Sequence, residues 1–124
     1  MNNEEKPEEI EKIKETLLEK SSMDTMSSFY SIFADSTRLS IVSLLINHEL
    51  CVNDIASILG ISQSRVSHQL AILRQHDIVT YYRKGKQVLY TLTDNHIKYL
   101  FTIGLEHLSE QDENLCKDKI KKGY

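Results

Sequence analysis

Apolar residues recur along this chain with two periods, first helical and then alternating, and the change between them marks out its elements. Ile10, Ile13 and Leu17 stand at helical spacing among Glu and Lys, so residues 7–20 are expected to form an amphipathic helix opened by Pro7. Met26, Phe29, Tyr30 and Phe33 repeat the i, i+3, i+4, i+7 pattern of a second helix. Asp35-Ser36 then supplies N-cap chemistry for a third, Arg38 to Ile46, whose TRLSIVSLLIN is apolar on most sides and is expected to lie centrally.

Next, VNDIASILG places Ile55, Ala56 and Leu59 on one face and ends in Gly60, a residue suited to a left-handed C-terminal position. SQSRVSHQLAILRQH begins at Ser62, a good N-cap, and lines Val66, Leu70 and Leu73 on one stripe. Two short helices joined at Gly60-Ile61 make a helix-turn-helix. At about 100° per residue, Ser64 and His68 point away from the apolar stripe and Ser67 lies at its edge. The period then drops to two in IVTYYRKGKQVLYTL, where Gly85 permits the tight turn of a hairpin. Arg83, Lys84 and Lys86 crowd its tip, as in the wing of a winged helix.

Charge sharpens this picture. The chain of 124 residues carries a formal charge of −3, which argues against a general polyanion binder, yet residues 62–86 sum to +4 while 1–23 and 24–61 sum to −3 each and 87–124 to −1. The only basic window therefore coincides with the second helix of the pair and the hairpin. Lys and Arg at the tip supply sequence-independent attraction to phosphate, and Gln63, Ser64, Arg65, Ser67 and His68 stand where recognition helices approach bases or backbone. Duplex DNA is the expected partner. Two recognition helices about 34 Å apart fit successive major grooves, so DNA binding calls for a two-fold dimer.

Length bounds the organisation to one small domain with appended segments: an acidic arm over residues 1–23, the winged helix-turn-helix with a final helix over 24–110, and a charged tail over 111–124. No apolar run is long enough to span a membrane and the N-terminus is acidic, so a cytoplasmic protein without a membrane partner is expected. Cys51 and Cys116 are far apart and form no CxxC pair, which excludes a cysteine-rich zinc site.

The final helical stretch, DNHIKYLFTIGLEHLSE, carries histidines and carboxylates near its ends alone. With His96 at 0° on a helical wheel, Leu100, Ile103 and His107 fall within about 40° of it and Glu110 near −40°. Ile97, Phe101 and Leu108 form a second stripe, which leaves Lys98, Thr102 and Glu106 for water. Two stripes imply two packing partners: its own domain and another chain. His96 and His107 lie about 16 Å apart along the axis, whereas ligands of one zinc sit within roughly 2 Å of it. If two copies lie antiparallel about an axis near Phe101-Thr102, however, His96 of one chain comes level with His107 of the other. Asp94 and His96 with the mate's His107 and Glu110 then form an N₂O₂ set suited to tetrahedral Zn2+, at two intersubunit sites per dimer. Leu100 and Ile103 would build the interface between them.

FADSTRLSIVSLL, ELCVNDIASILGISQSRVSHQLAILRQHDIV, KGKQVLYTL and DNHIKYLFTIGLEHLSE together resemble the ArsR/SmtB family of bacterial metal-responsive repressors, from about residue 26 to 110. The subset sensing zinc on its C-terminal helix has an Asp-x-His, a ten-residue gap and His-x-x-His/Glu. Asp94-Asn95-His96 and His107-Leu108-Ser109-Glu110 fit that pattern in register. Relatives sensing cadmium or lead carry Cys-Val-Cys where this chain has Cys51-Val52-Asn53, and here residues 1–47 hold neither Cys nor His. The resemblance implies a homodimer that represses transcription when metal-free and leaves its operator when metal binds. It also implies that the N-terminal helix, with Ile13 and Leu17, joins the interface, and that His107 passes a hydrogen bond to a backbone carbonyl near His76-Asp77.

Cobalt, nickel or thiol oxidation at Cys51 are alternative cues for such a regulator. A zinc hydrolase is the contrasting class, but catalysis needs an open coordination position and four ligands close the shell. No pocket for a small organic substrate is evident in the sequence. The expected fold is mainly α with a β-hairpin wing, a winged helix-turn-helix acting as a two-fold homodimer, and not an enzyme.

Overall fold

A computed structural model describes residues 6–112, so the tail beyond them, with Cys116, lies outside the described residues. The elements in chain order are α1 (Pro7–Lys14), α2 (Lys20–Ser31), α3 (Ser36–Asn47), α4 (Val52–Leu59), α5 (Gln63–Gln75), β1 (Val79–Lys84), β2 (Gln87–Leu92) and α6 (Asn95–Ser109). The chain divides into two compact units between Ser31 and Ile32.

The first unit holds α1 and α2. Pro7 opens α1, Glu8 and Glu9 sit in its first turn and Lys12 and Lys14 in its last, each charge complementing the helix dipole. The helix expected over residues 7–20 stops at Lys14. There the Thr16 hydroxyl donates to the Ile13 carbonyl at 2.6 Å, and the Thr16 and Leu17 amides close turns onto Ile13 and Lys14. α2 starts at Lys20 and ends at Ser31, so Phe33 falls in the following turn. Neither helix contains a buried residue, and Ile10, Ile13, Leu17, Leu18, Met23, Met26 and Tyr30 are all exposed.

The second unit is built round α3, whose Ile41, Val42 and Leu45 are buried. Ile55 and Ala56 of α4, Val66, Leu70 and Leu73 of α5, Ile78, Val79 and Ile97 complete the core. Gly60, at φ 68°, ends α4 with its amide on Ala56 O, and Ser62 caps α5 by accepting the Arg65 amide at 3.1 Å. α5 closes through Asp77, at φ 56°, a left-handed position that Asp tolerates. The chain then enters an antiparallel hairpin whose register runs from Val79↔Leu92 to Lys84↔Gln87, turned by Gly85-Lys86 with Gly85 at φ 63°. A bridge from Leu50 to Tyr90, hydrogen-bonded in both directions, ties the hairpin's return strand to the segment before α4. Among the described residues no single helix is long and apolar enough to cross a membrane.

Asp35 caps α3 by accepting the Arg38 amide at 3.0 Å. That hydrogen bond, with the nearby Arg38 guanidinium, holds its carboxyl below the usual carboxylate range against the opposing effect of burial. The folded pKa is thus the lower one. The stabilisation is present above the unfolded carboxylate's pKa and disappears as pH falls through the folded value. Asp35→Ala should destabilise by about 1 kcal/mol at neutral pH, with the gap to the parent closing in acid, as measured by urea unfolding at several pH values.

α6 lies against the domain by the Ile97 and Phe101 part of the expected second stripe, with the buried face shifted to take in Thr102 and leave Leu108 out. Ile97 and Thr102 are its buried residues, with Phe101 and Leu105 half-buried, whereas Leu108 is 53% exposed. Thr102, expected in water, is only 2% exposed. Its hydroxyl donates to Lys98 O at 2.7 Å, so the helix itself satisfies the polar group and allows its burial.

Candidate nucleic-acid interface and metal centre

The first two turns of α5 carry Gln63, Ser64, Arg65, Ser67 and His68, all exposed. Their side chains are not equally available. Arg65 lies back along the unit, donating to Thr37 Oγ1 at 3.4 Å, and Ser64 Oγ is 3.3 Å from the capping Ser62 Oγ. Gln63 Nε2 donates to Asn53 Oδ1 of α4 at 2.8 Å. Behind them, Arg38 anchors α5 to the core side by donating to Ile32 O at 2.7 Å and Gln69 Oε1 at 3.1 Å.

The hairpin is held at its root and bare at its tip. Arg74 of α5 stacks over Tyr81 at 4.4 Å from the ring centroid, and Tyr81 meets its cross-strand partner Tyr90 at 5.5 Å. Tyr82 donates its hydroxyl to the Glu49 carboxylate, and this bond pushes its phenol above the ordinary value. Arg83, Lys84 and Lys86 are exposed around the turn, with no salt bridge to an acidic side chain among the described residues. Of the five cations in the basic window, Arg74 is committed to the root, Arg65 leans on Thr37, and the three at the tip remain for phosphate.

The roles of Glu49, Asn53, Arg74 and Tyr82 are not legible in the sequence. Each depends on a contact across a turn or between elements, which helical and strand periodicity do not encode.

At the start of α6, Asp94 is the N-cap. Its Oδ1 accepts the His96 amide at 2.9 Å and lies 3.4 Å from His96 Nδ1, with the two side chains 50% and 86% exposed. An edge of about 3.3–3.4 Å is that of a tetrahedron with zinc–ligand bonds of about 2.0–2.1 Å. The Asp94–His96 separation fits two ligands on one ion, as it also fits their direct ion pair. His107 and Glu110 are both exposed at the other end, where Glu110 is the C-cap. Eleven residues of helix separate the two histidines by about 16 Å. Within one chain no three His, Cys, Asp or Glu side chains among the described residues converge as a metal site. The donor types and the Asp94–His96 separation fit zinc, and one protomer would supply two donors at each end.

Between the two ends the outward stripe is apolar and open. Ile103 is 55% exposed, Leu100 is half-buried, and Gly104 is exposed with nothing within 4 Å of where a Cβ would stand. Asp77 O, near which the family resemblance places the acceptor for His107, is taken here by the Thr93 hydroxyl at 2.6 Å, and His76 Nδ1 lies 3.0 Å from Ile72 O.

A capped helix-turn-helix followed by a basic hairpin defines a winged-helix DNA-binding regulator. The family described as bacterial regulatory protein, arsR family, matches residues 35–81. The transcriptional repressor SmtB homolog of Synechocystis sp. is 39% identical over 105 residues, covering 85% of this chain and 80% of that protein. A cadmium resistance transcriptional regulatory protein CadC homolog of Staphylococcus aureus is 34% identical over 104 residues, 83% of this chain and 85% of its own length. The solution structure of apo-NmtR superposes with a TM-score of 0.66 at 32% identity, over 90% of this chain and 84% of that one. The chain belongs to the ArsR/SmtB family of metal-responsive transcriptional repressors. It is a DNA-binding regulator and not an enzyme.

Proposed function

We propose that this chain is a zinc-responsive repressor whose metal-free homodimer binds a palindromic operator and whose metal-bound dimer releases it, derepressing genes of metal efflux or homeostasis. The observation that carries the reading is the layout of α6. Asp94 and His96 are juxtaposed at ligand-edge distance at one end, His107 and Glu110 stand one turn apart at the other, and an unpartnered apolar stripe runs between them. A two-fold mate laid antiparallel on that stripe brings each half-set to the other. Ile13 and Leu17 of α1, exposed in a unit without buried residues, are assigned to the same interface.

The residues divide the work between metal, seam and DNA. Asp94 caps α6 by accepting the His96 backbone amide, which puts the two residues of the first half-set at the same end of the helix. His107 and Glu110 share a helix face and present the second. These four donors, two from each protomer, would hold a zinc ion that crosslinks the two α6 helices. Leu100 and Ile103 exclude water along the seam and fix the register of the two helices. Gln63, Ser67 and His68 address the groove, Ser64 and Arg65 stand beside them at its backbone edge, and Arg83, Lys84 and Lys86 hold phosphates. α6 packs on β2, so a change in α6 pairing reorients the wing and recognition helix as one body. Zinc then favours the DNA-free arrangement, and by linkage DNA weakens zinc by the same factor, for a typical coupling about 5- to 150-fold.

Cobalt suits the same tetrahedral donors and is the second candidate ion. Nickel asks for more than four ligands, and Cys51 is a half-buried free thiol with no second thiol among the described residues, so the four-donor N₂O₂ set favours zinc over both nickel and a thiol cue. The deciding experiment is a titration of a palindromic operator with and without zinc at fixed salt. Operator affinity should fall on adding zinc and return with a chelator; operator affinity indifferent to zinc overturns the reading.

A further inference from the structure

We propose that Asn53, on the first helix of the motif, sets the base preference of this regulator by fixing the orientation of Gln63 on the second. The inference rests on α5 being the base-contacting helix and goes beyond it by naming a residue on α4 that would itself act through Gln63.

Asn53 is the second residue of α4 and Gln63 the first of α5, brought together because Gly60 turns the chain sharply between the two helices. The Gln63 amide nitrogen donates to Asn53 Oδ1 at 2.8 Å, and both residues are exposed. A glutamine at a helix start has several rotatable bonds and can present its amide either way round. Here the bond to Asn53 Oδ1 turns its Nε2 toward α4. Engaging the Nε2 hydrogen trans to Oε1 leaves the cis hydrogen and Oε1 side by side on the amide's other edge.

A donor beside an acceptor matches adenine, whose major-groove edge offers N7 as acceptor and the N6 amino group as donor. Guanine offers two acceptors, N7 and O6, and would set Oε1 against one of them. The fixed amide therefore selects an A·T pair at one position of each operator half-site. Its neighbours do not compete for that base edge, because Arg65 is turned toward Thr37 and the Ser64 hydroxyl faces Ser62.

The test is a binding series on the full-length dimer without metal, using operator duplexes substituted one base pair at a time through a half-site. The parent should show one A·T position where G·C weakens binding roughly 5- to 150-fold. Gln63→Ala should flatten the preference at that position, and Asn53→Ala should flatten it at the same position. Both should keep the helical circular dichroism and the salt dependence of the parent, because neither removes a charge. Asn53→Asp keeps the accepting oxygen and should retain the preference while binding all sequences more weakly.

Preference retained in Asn53→Ala but lost in Gln63→Ala overturns the role of Asn53 alone. A uniform loss across all duplexes in Asn53→Ala overturns it too, since that is a backbone or folding effect. A half-site profile unchanged in Gln63→Ala removes Gln63 as a reader, and a parent without any base preference overturns the assignment of α5 itself.

Discussion

Alanine at both His96 and His107 should abolish release of the operator by zinc while leaving metal-free operator binding as it was. Both side chains are exposed, so the substitutions open no cavity and disturb no core contact. Loss of an outer-shell partner at a metal site already weakens binding about 10- to 100-fold, and removal of two direct ligands should exceed the upper figure. The more informative form uses the single variants. His96→Ala damages both sites of a homodimer, and so does His107→Ala. In a mixed dimer both lesions fall on the same site, and the other site is whole. Mixing the two inactive proteins should therefore restore tight zinc binding at about one ion per four chains, the statistical share of mixed dimers each holding one site. Isothermal titration of the refolded mixture reads this directly. Recovery of nothing would mean that the donors are not shared between chains.

Neutralising the wing is the second large effect. Arg83→Gln, Lys84→Gln and Lys86→Gln together remove three exposed cations that have no acidic salt-bridge partner among the described residues, so folding should be untouched. A dimer loses six such charges. Each phosphate contact contributes about 0.9 to the slope of log affinity against log salt, so the slope should fall by roughly five. Zinc affinity of the free protein should not change. A slope equal to the parent's would place these residues off the DNA and leave the hairpin a solvated turn.

Much of the winged-helix unit was legible because its signals are local. Asp35 and Ser62 cap the helices they precede, Gly60 takes the left-handed position, and Gly85 turns the hairpin. The core stripe Val66, Leu70 and Leu73 is buried as its spacing implied. The N-terminal segment was less legible. Ile10, Ile13 and Leu17 keep helical spacing through Leu17, but the Thr16 side chain competes for the Ile13 carbonyl and the chain turns.

The wheel of α6 erred for a similar reason. It assigned Thr102 to water by polarity, whereas a threonine in a helix can satisfy its hydroxyl on the preceding turn and pack its methyl inward. For the proposed metal donors, periodicity could place Asp94, His96, His107 and Glu110 along the helix, and the fold adds the Asp94–His96 spacing. The wing root, with Tyr82 on Glu49 and Arg74 on Tyr81, was invisible because those pairs are made by tertiary approach.

The open stripe on α6 also makes the regulator sensitive to its own abundance. A protomer alone holds half of each donor set, with Ile103, Gly104 and Leu108 facing solvent. In the proposed arrangement zinc affinity and dimerisation are then linked by mass action: dilution dismantles the site, and metal draws dilute protomers together. A cell holding few copies would need more zinc to reach the same occupancy than one holding many. Setting the repressor's copy number is thus a second way to set its metal threshold, without altering a single ligand.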